Sequence, residues 1–231
     1  MPEQNNKLLF VTTARSDFGL LSGVIKESLR LSKVAVFATG CHLISSRKTL
    51  VEVQKFCEKN KIELINGGSK KNINDSSFEC TELLSSLTSI ANIVLEEYKP
   101  AMVIILGDRW ELFSVTLPSM LHRIPIAHIS GGEITEGVID DNVRHSTSKL
   151  AQIHFVSTKV YAENLSRIGE EDWRITISGE PGLDKYKDNK FNLNKFNEVV
   201  GEIGIDNSRP IVLVTYHPTL ETNMDMLKRQ I

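Results

Sequence analysis

The chain has 231 residues, room for one large domain or one and a half smaller ones. Its apolar and charged fractions, 41% and 24%, are those of a folded globular protein, and a net charge of −2 argues against nucleic acid or an anionic membrane surface as the main partner. The three cysteines, Cys41, Cys57 and Cys80, are widely spaced and form no CxxC pair, so neither a disulfide framework nor a structural zinc is expected, and the expected setting is the reducing cytoplasm.

The polar opening MPEQNN lacks the basic and apolar regions of a signal peptide, and no apolar run is long enough to span a membrane. Lys7–Thr13 (KLLFVTT) reads as a first strand, followed by the loop Ala14-Arg15-Ser16-Asp17. Asp17 can cap the helix behind it, whose apolar face is Leu20, Leu21, Val24, Ile25 and Leu29. Val34–Thr39 predicts a second strand ending in Gly40, then a polar loop and a helix near Thr49–Asn60. Ile62–Ile65 reads as a third strand, Gly67–Asn72 as a basic surface loop, and Ser76–Glu97 as a longer helix ending before Pro100.

Val103–Leu106 and Ile124–Ile129 are short Ile/Val-rich runs, each closed by polar, glycine-bearing sequence: Gly107-Asp108-Arg109 after the first, Ser130-Gly131-Gly132-Glu133 after the second. Helices are predicted over Trp110–His122, Asp141–Gln152 and Lys159–Ile168, with further strands at Ile153–Ser157 and Ile175–Ser178. The β-α alternation predicts an α/β fold with a doubly wound parallel sheet. The charged stretch Lys185–Lys195 reads as a boundary, giving a Rossmann-like domain over 1–185, a linker helix within 186–208 and the start of a second unit over 209–231. Pro210–Thr215 (PIVLVT) predicts a strand, but the sixteen residues after it are too few to bury a core, so the chain is expected to be a piece of a longer protein.

In an open parallel sheet, ligands bind beyond the carboxyl ends of the strands, where the order reverses. The Arg15, Asp108 and Glu133 loops are expected to share that crevice. Arg15 opens a helix, a ready anion site, and Gly131-Gly132 permits close backbone approach to a ligand. No GxGxxG or GxxxxGK[ST] occurs, so neither a nicotinamide fingerprint nor a P-loop is supported, and no cofactor is expected. Taken alone, Asp108 reads equally as a helix cap, Glu133 as a solvated loop charge and Asp141 as an acid in a first helical turn. His128, Glu133 and His145 match no strong ligand spacing, so no metal is expected, and His122 and His154 read as structural.

The segments TARSDFGLL, LGDRWELF, HISGGEITEGVIDDNVRHSTSK, IHFVST, SGEPGLD and VTYHPTLE together resemble the UDP-N-acetylglucosamine 2-epimerase family, closest to its hydrolysing branch, from about Leu8 to Glu221. The central pattern GDR…GGE…DD-x-x-RHS-x-x-K is long and specific. The resemblance implies a GT-B architecture of two Rossmann-like domains with the site between them, a chain longer than this one, a UDP-sugar substrate and a homodimer for the full-length protein. It implies Asp108, Glu133 and Asp140 as acid/base carboxylates. It implies Arg15, Asp17, Arg109, Arg144, His145 and His217 as substrate-binding groups. Pro218-Thr219-Leu220-Glu221 after His217 follows the hydrolysing branch. A non-hydrolysing epimerase and a non-catalytic sugar-nucleotide binding module are the alternatives.

Overall fold

The computed structural model describes residues 6–43, 49–68, 76–187, 192–206 and 209–215. His217, with the rest of the sixteen residues after Thr215, and most of the Gly67–Asn72 loop lie outside the described residues.

Seven strands alternate with helices: β1 Lys7–Thr12, α1 Arg15–Ser28, β2 Lys33–Ala38, α2 Leu50–Asn60, β3 Glu63–Asn66, α3 Ser77–Tyr98, β4 Met102–Leu106, α4 Phe113–Leu121, β5 Ile126–Ile129, α5 Ile139–Leu150, β6 Ile153–Val156, α6 Lys159–Arg167 and β7 Ile175–Ile177. They form one parallel sheet in the order β3-β2-β1-β4-β5-β6-β7. The order reverses between β1 and β4, so the loops after these strands flank the crevice of a doubly wound sheet.

Side chains alternate across the pleat into two buried layers. Leu9, Val11, Ala35, Phe37, Val103, Ile105 and Ile126 pack on one face with Ala91, Leu95 and Val115 from α3 and α4. Phe10, Val36, Ala38, Ile104, Leu106, Ala127 and Ile129 pack on the other with Phe18, Leu21 and Ile25 of α1 and Val53 and Cys57 of α2. Burial on both faces explains why the strands read as unbroken apolar runs. Each fully buried Leu, Ile or Phe contributes roughly 1.5–3 kcal/mol before entropy is counted. α3 starts at Ser76, whose hydroxyl accepts from the Glu79 N–H at 3.3 Å, and ends at Lys99 in the left-handed conformation just ahead of Pro100.

The chain divides into Met1–Asp184 and Lys185–Ile231, a boundary that falls within the short helix α7, Asp184–Lys187. The second unit holds α8, Leu193–Glu202, capped by the Asn192 side chain at 3.0 Å from the Lys195 N–H. The strand expected over Pro210–Thr215 is not formed: these residues have no regular structure, and Val212, Leu213 and Val214 are 80–90% exposed. A strand is stable only in a ladder, and this run has no neighbouring strand among the described residues.

Candidate active site

The loops at the carboxyl ends of β4 and β5 and the first turns of α5 build one charged cluster. Arg144 lies in the second turn of α5 and is buried, with its side chain 6% exposed. Its Nη2 donates to Asp108 Oδ2, and its Nη1 donates to Thr135 Oγ1 at 3.1 Å. On the helix surface Asp140 and Arg144 share one face, four residues apart, and Asp141 and His145 the adjoining one. Asp141 Oδ1 accepts from the Thr135 N–H at 2.9 Å, and Asp141 Oδ2 lies 3.5 Å from His145 Nε2. Asp141 therefore closes the loop from Glu133 onto the helix and leaves Asp140 free of that task.

Burial pushes the Glu133 carboxyl above its usual range; Arg144 opposes this, and Glu180 and Asp108 reinforce it. Burial likewise raises Asp140, helped by Asp108 and opposed by Arg109 and Arg144. A single arginine thus acts on Asp108, Glu133 and Asp140, which the chain brings together from three separate segments. Two carboxyls biased toward the protonated form, beside a third ion-paired to a buried cation, can take up and return protons at different points around a ligand.

His128, fully buried on β5, supports this arrangement from beneath. Its Nε2–H donates to the Gly107 carbonyl at 2.8 Å, and its Nδ1 lies 3.0 Å from Ser148 Oγ, which donates to it. Gly107, in the left-handed region at φ +84, is the turn that aims Asp108. Burial drives the His128 pKa down to about 4, so the ring is neutral at pH 7. Because the folded value lies below the unfolded one, its stabilisation is complete above about pH 6.5 and is lost as pH falls toward 4, on the order of 3 kcal/mol. Urea unfolding between pH 4 and 7 is expected to show this loss, and His128→Gln, which cannot gain a proton, to lessen it; burial also lowers His42 and His154, which keep their share.

The glycine pair is also needed for packing. A Cβ on Gly132 would lie 2.3 Å from the Tyr161 carbonyl oxygen of α6, and one on Gly131 would lie 2.9 Å from Ser148 Oγ. Asn164 Nδ2 donates to the Gly132 carbonyl at 2.8 Å.

Around the β1 loop, Arg15 is exposed as the first residue of α1. Asp17, expected to touch substrate, is 5% exposed and turned into the loop. Its carboxylate accepts from the Thr12 hydroxyl, from the Thr13 N–H at 2.9 Å and hydroxyl at 2.7 Å, and from the Ala14 N–H at 3.1 Å. These contacts use both its oxygens to hold the helix start in place. Thr12 Oγ1 also lies 2.9 Å from His42 Nε2, and His42 Nδ1 lies 3.0 Å from Thr49 Oγ1.

Sequence reasoning missed Glu111, buried three residues after Asp108, whose carboxylate accepts from Arg109 Nη2 at 2.7 Å. Burial works against the Arg109 charge, but Glu111 more than offsets this and holds the guanidinium above its usual range. The signal was available: an acid inside the apolar run Trp110-Glu111-Leu112-Phe113 is expected to need a partner. Among the described residues no three His, Cys, Asp or Glu side chains are grouped to hold a metal, and no helix is long and apolar enough to cross a membrane.

Fold and site together define a Rossmann-type α/β unit with a carboxylate–arginine cluster beside the switch point of its sheet. Over residues 27–231 the sequence matches the family described as UDP-N-acetylglucosamine 2-epimerase, and the chain belongs to that family. It is 33% identical over 229 residues to the GDP/UDP-N,N'-diacetylbacillosamine 2-epimerase (hydrolyzing) of Campylobacter jejuni, covering 97% of this chain and 57% of that protein. To the UDP-N,N'-diacetylbacillosamine 2-epimerase (hydrolyzing) of Legionella pneumophila it is 31% identical over 235 residues, covering 97% and 58%. The chain thus spans little more than half the length of these relatives. Among solved structures, UDP-GlcNAc 2-epimerase from Neisseria meningitidis bound to UDP-GlcNAc aligns at TM-score 0.64 and 22% identity, over 87% of this chain and 55% of that one. UDP-N-acetylglucosamine 2-epimerase from Rickettsia bellii aligns at TM-score 0.68 and 16% identity, over 88% and 52%. At these identities the likeness is one of fold.

Proposed function

We propose that this chain carries the acid/base half of a hydrolysing 2-epimerase of UDP-linked N-acetylamino sugars, the other half of the site lying in sequence such as its longer relatives possess. The single observation behind the reading is the Asp108–Arg144 pair with Glu133 and Asp140 in the field of the same arginine. The hydrogen on C2 of such a sugar is not acidic, because no carbonyl is attached to that carbon. Loss of UDP from C1 with loss of the C2 proton, through an oxocarbenium-like state, gives a glycal. Water then adds at C1, and a proton returns to C2 from the other face. The route needs a base, an acid and negative charge near the developing cation. Asp108, Glu133 and Asp140 are the groups proposed for it. Arg15, Arg109, Arg144, His145 and His217 are proposed to hold the substrate, and Asp17 to shape the first loop.

The Campylobacter and Legionella relatives, both hydrolyzing N,N'-diacetylbacillosamine 2-epimerases, support water as the acceptor and favour a 2,4-diacetamido sugar over N-acetylglucosamine. Mass analysis of products from the protein at the length of its relatives, with both sugar nucleotides in deuterated water, tests this. Free 2-epimerised sugar, UDP and one deuterium at C2 are expected. A UDP-linked epimer would indicate the non-hydrolysing reaction, and saturable binding without chemistry a binding module.

A further inference from the structure

Glu111 has no part in the proton transfers above, yet its side chain is 1% exposed in a place where an ionised carboxylate costs several kcal/mol unless it is paired. Its Oε1 accepts from Arg109 Nη2 at 2.7 Å and from Cys41 Sγ at 3.4 Å, while Arg109 Nη2 lies 3.1 Å from the same sulfur. Its Oε2 has no hydrogen-bond partner among the described residues. Gly40, at φ +58, lets the loop after β2 settle onto the carboxylate: a Cβ there would lie 3.2 Å from Glu111 Cγ and 3.1 Å from the Thr13 carbonyl. Loops from β1, β2 and β4 therefore close around Glu111. Arg109 is held by it and still keeps 33% of its side chain exposed.

If stability alone were served, an apolar residue of similar volume would do as well or better than a half-satisfied buried carboxylate. What the carboxylate provides is a guanidinium whose orientation is set before any ligand arrives, which lowers the ordering cost of binding an anion. We propose that Glu111 is a positioning residue that locks the Arg109 guanidinium at the crevice between the β1 and β4 loops, as a fixed cation for the diphosphate of the sugar nucleotide. The proposal rests on the epimerase reading for the identity of the anion, and on the contacts of Glu111 for the lock itself.

A double-mutant cycle in the protein at the length of its relatives tests it. Glu111→Gln is expected to raise KM for the sugar nucleotide by about tenfold, with kcat changed less than about threefold. In an Arg109→Ala background the same substitution is expected to change KM by less than about twofold. An equal loss in both backgrounds, or none in the first, overturns the proposal. Glu111→Asp, which keeps the charge but draws it back by one methylene, is expected to fold and to show an intermediate KM; an unaltered KM also overturns it. NMR of the arginine side chains without ligand separates the lock from the reaction. Slow rotation about the Arg109 Nε–Cζ bond is expected in the wild type and fast rotation in Glu111→Gln. Equal rates overturn the lock, whereas slow rotation in a protein that turns over neither sugar nucleotide overturns only the epimerase reading.

Discussion

Asp108→Asn is expected to reduce turnover by about a thousandfold in the protein at the length of its relatives, because it removes a proposed acid/base group and half of the Arg144 pair at once. The substitution leaves the buried Arg144 guanidinium without its counter-charge. Breaking such a pair from one side costs on the order of 3 kcal/mol, since the remaining ion is still desolvated. The two effects separate in a cycle. Asp108→Asn with Arg144→Met should regain most of the lost urea midpoint, as both charges are then gone, and none of the lost turnover. Retention of more than about half the wild-type kcat in Asp108→Asn would remove the residue from the chemistry.

Gly132→Ala is expected to be strongly destabilising. The new methyl would stand 2.3 Å from the Tyr161 carbonyl oxygen and 3.0 Å from Leu165 Cγ, at a backbone φ of +76. A backbone oxygen cannot rotate away as a side chain can, so α6 or the loop carrying Glu133 must move. Left-handed strain of about 1–2 kcal/mol and an overpacking cost of about 1–3 kcal/mol act together. The control is Gly137→Ala, at φ +81 with nothing within 4 Å of its added methyl, which should show the strain alone. Urea midpoints of the two variants give the difference directly. Equal midpoints would show that the loop yields without cost.

Much of this architecture was legible from the residues. Val103–Leu106 announces itself as a strand because a parallel sheet covered on both faces buries every residue, and the observed strand, Met102–Leu106, differs by one position. Trp110–His122 reads as one helix, whereas the structure opens it with a 3-10 turn at Trp110–Leu112 before α4. That tighter turn accompanies the inward placement of Glu111, an effect of the loop from β2 that local periodicity does not record. Pro210–Thr215 failed as a strand for the opposite reason: its composition is that of a strand, but pairing is a property of two segments, not one.

The site divides in the same way. Apolar runs ending in Gly-Asp-Arg and Gly-Gly-Glu are enough to put Asp108 and Glu133 at strand ends, and the spacing of Asp140 and Arg144 is enough to put them on one helix face, because both follow from local geometry. That Arg144 meets an aspartate 36 residues before it, that Asp17 turns inward, and that Gly131 and Gly132 make room for Ser148 and Tyr161 depend on the order of strands in the sheet and on which face each helix lays against it. Those are long-range choices, made by the burial of two apolar layers at once. The pattern along the chain names the residues at the rim; only the packing of the sheet decides which of them touch.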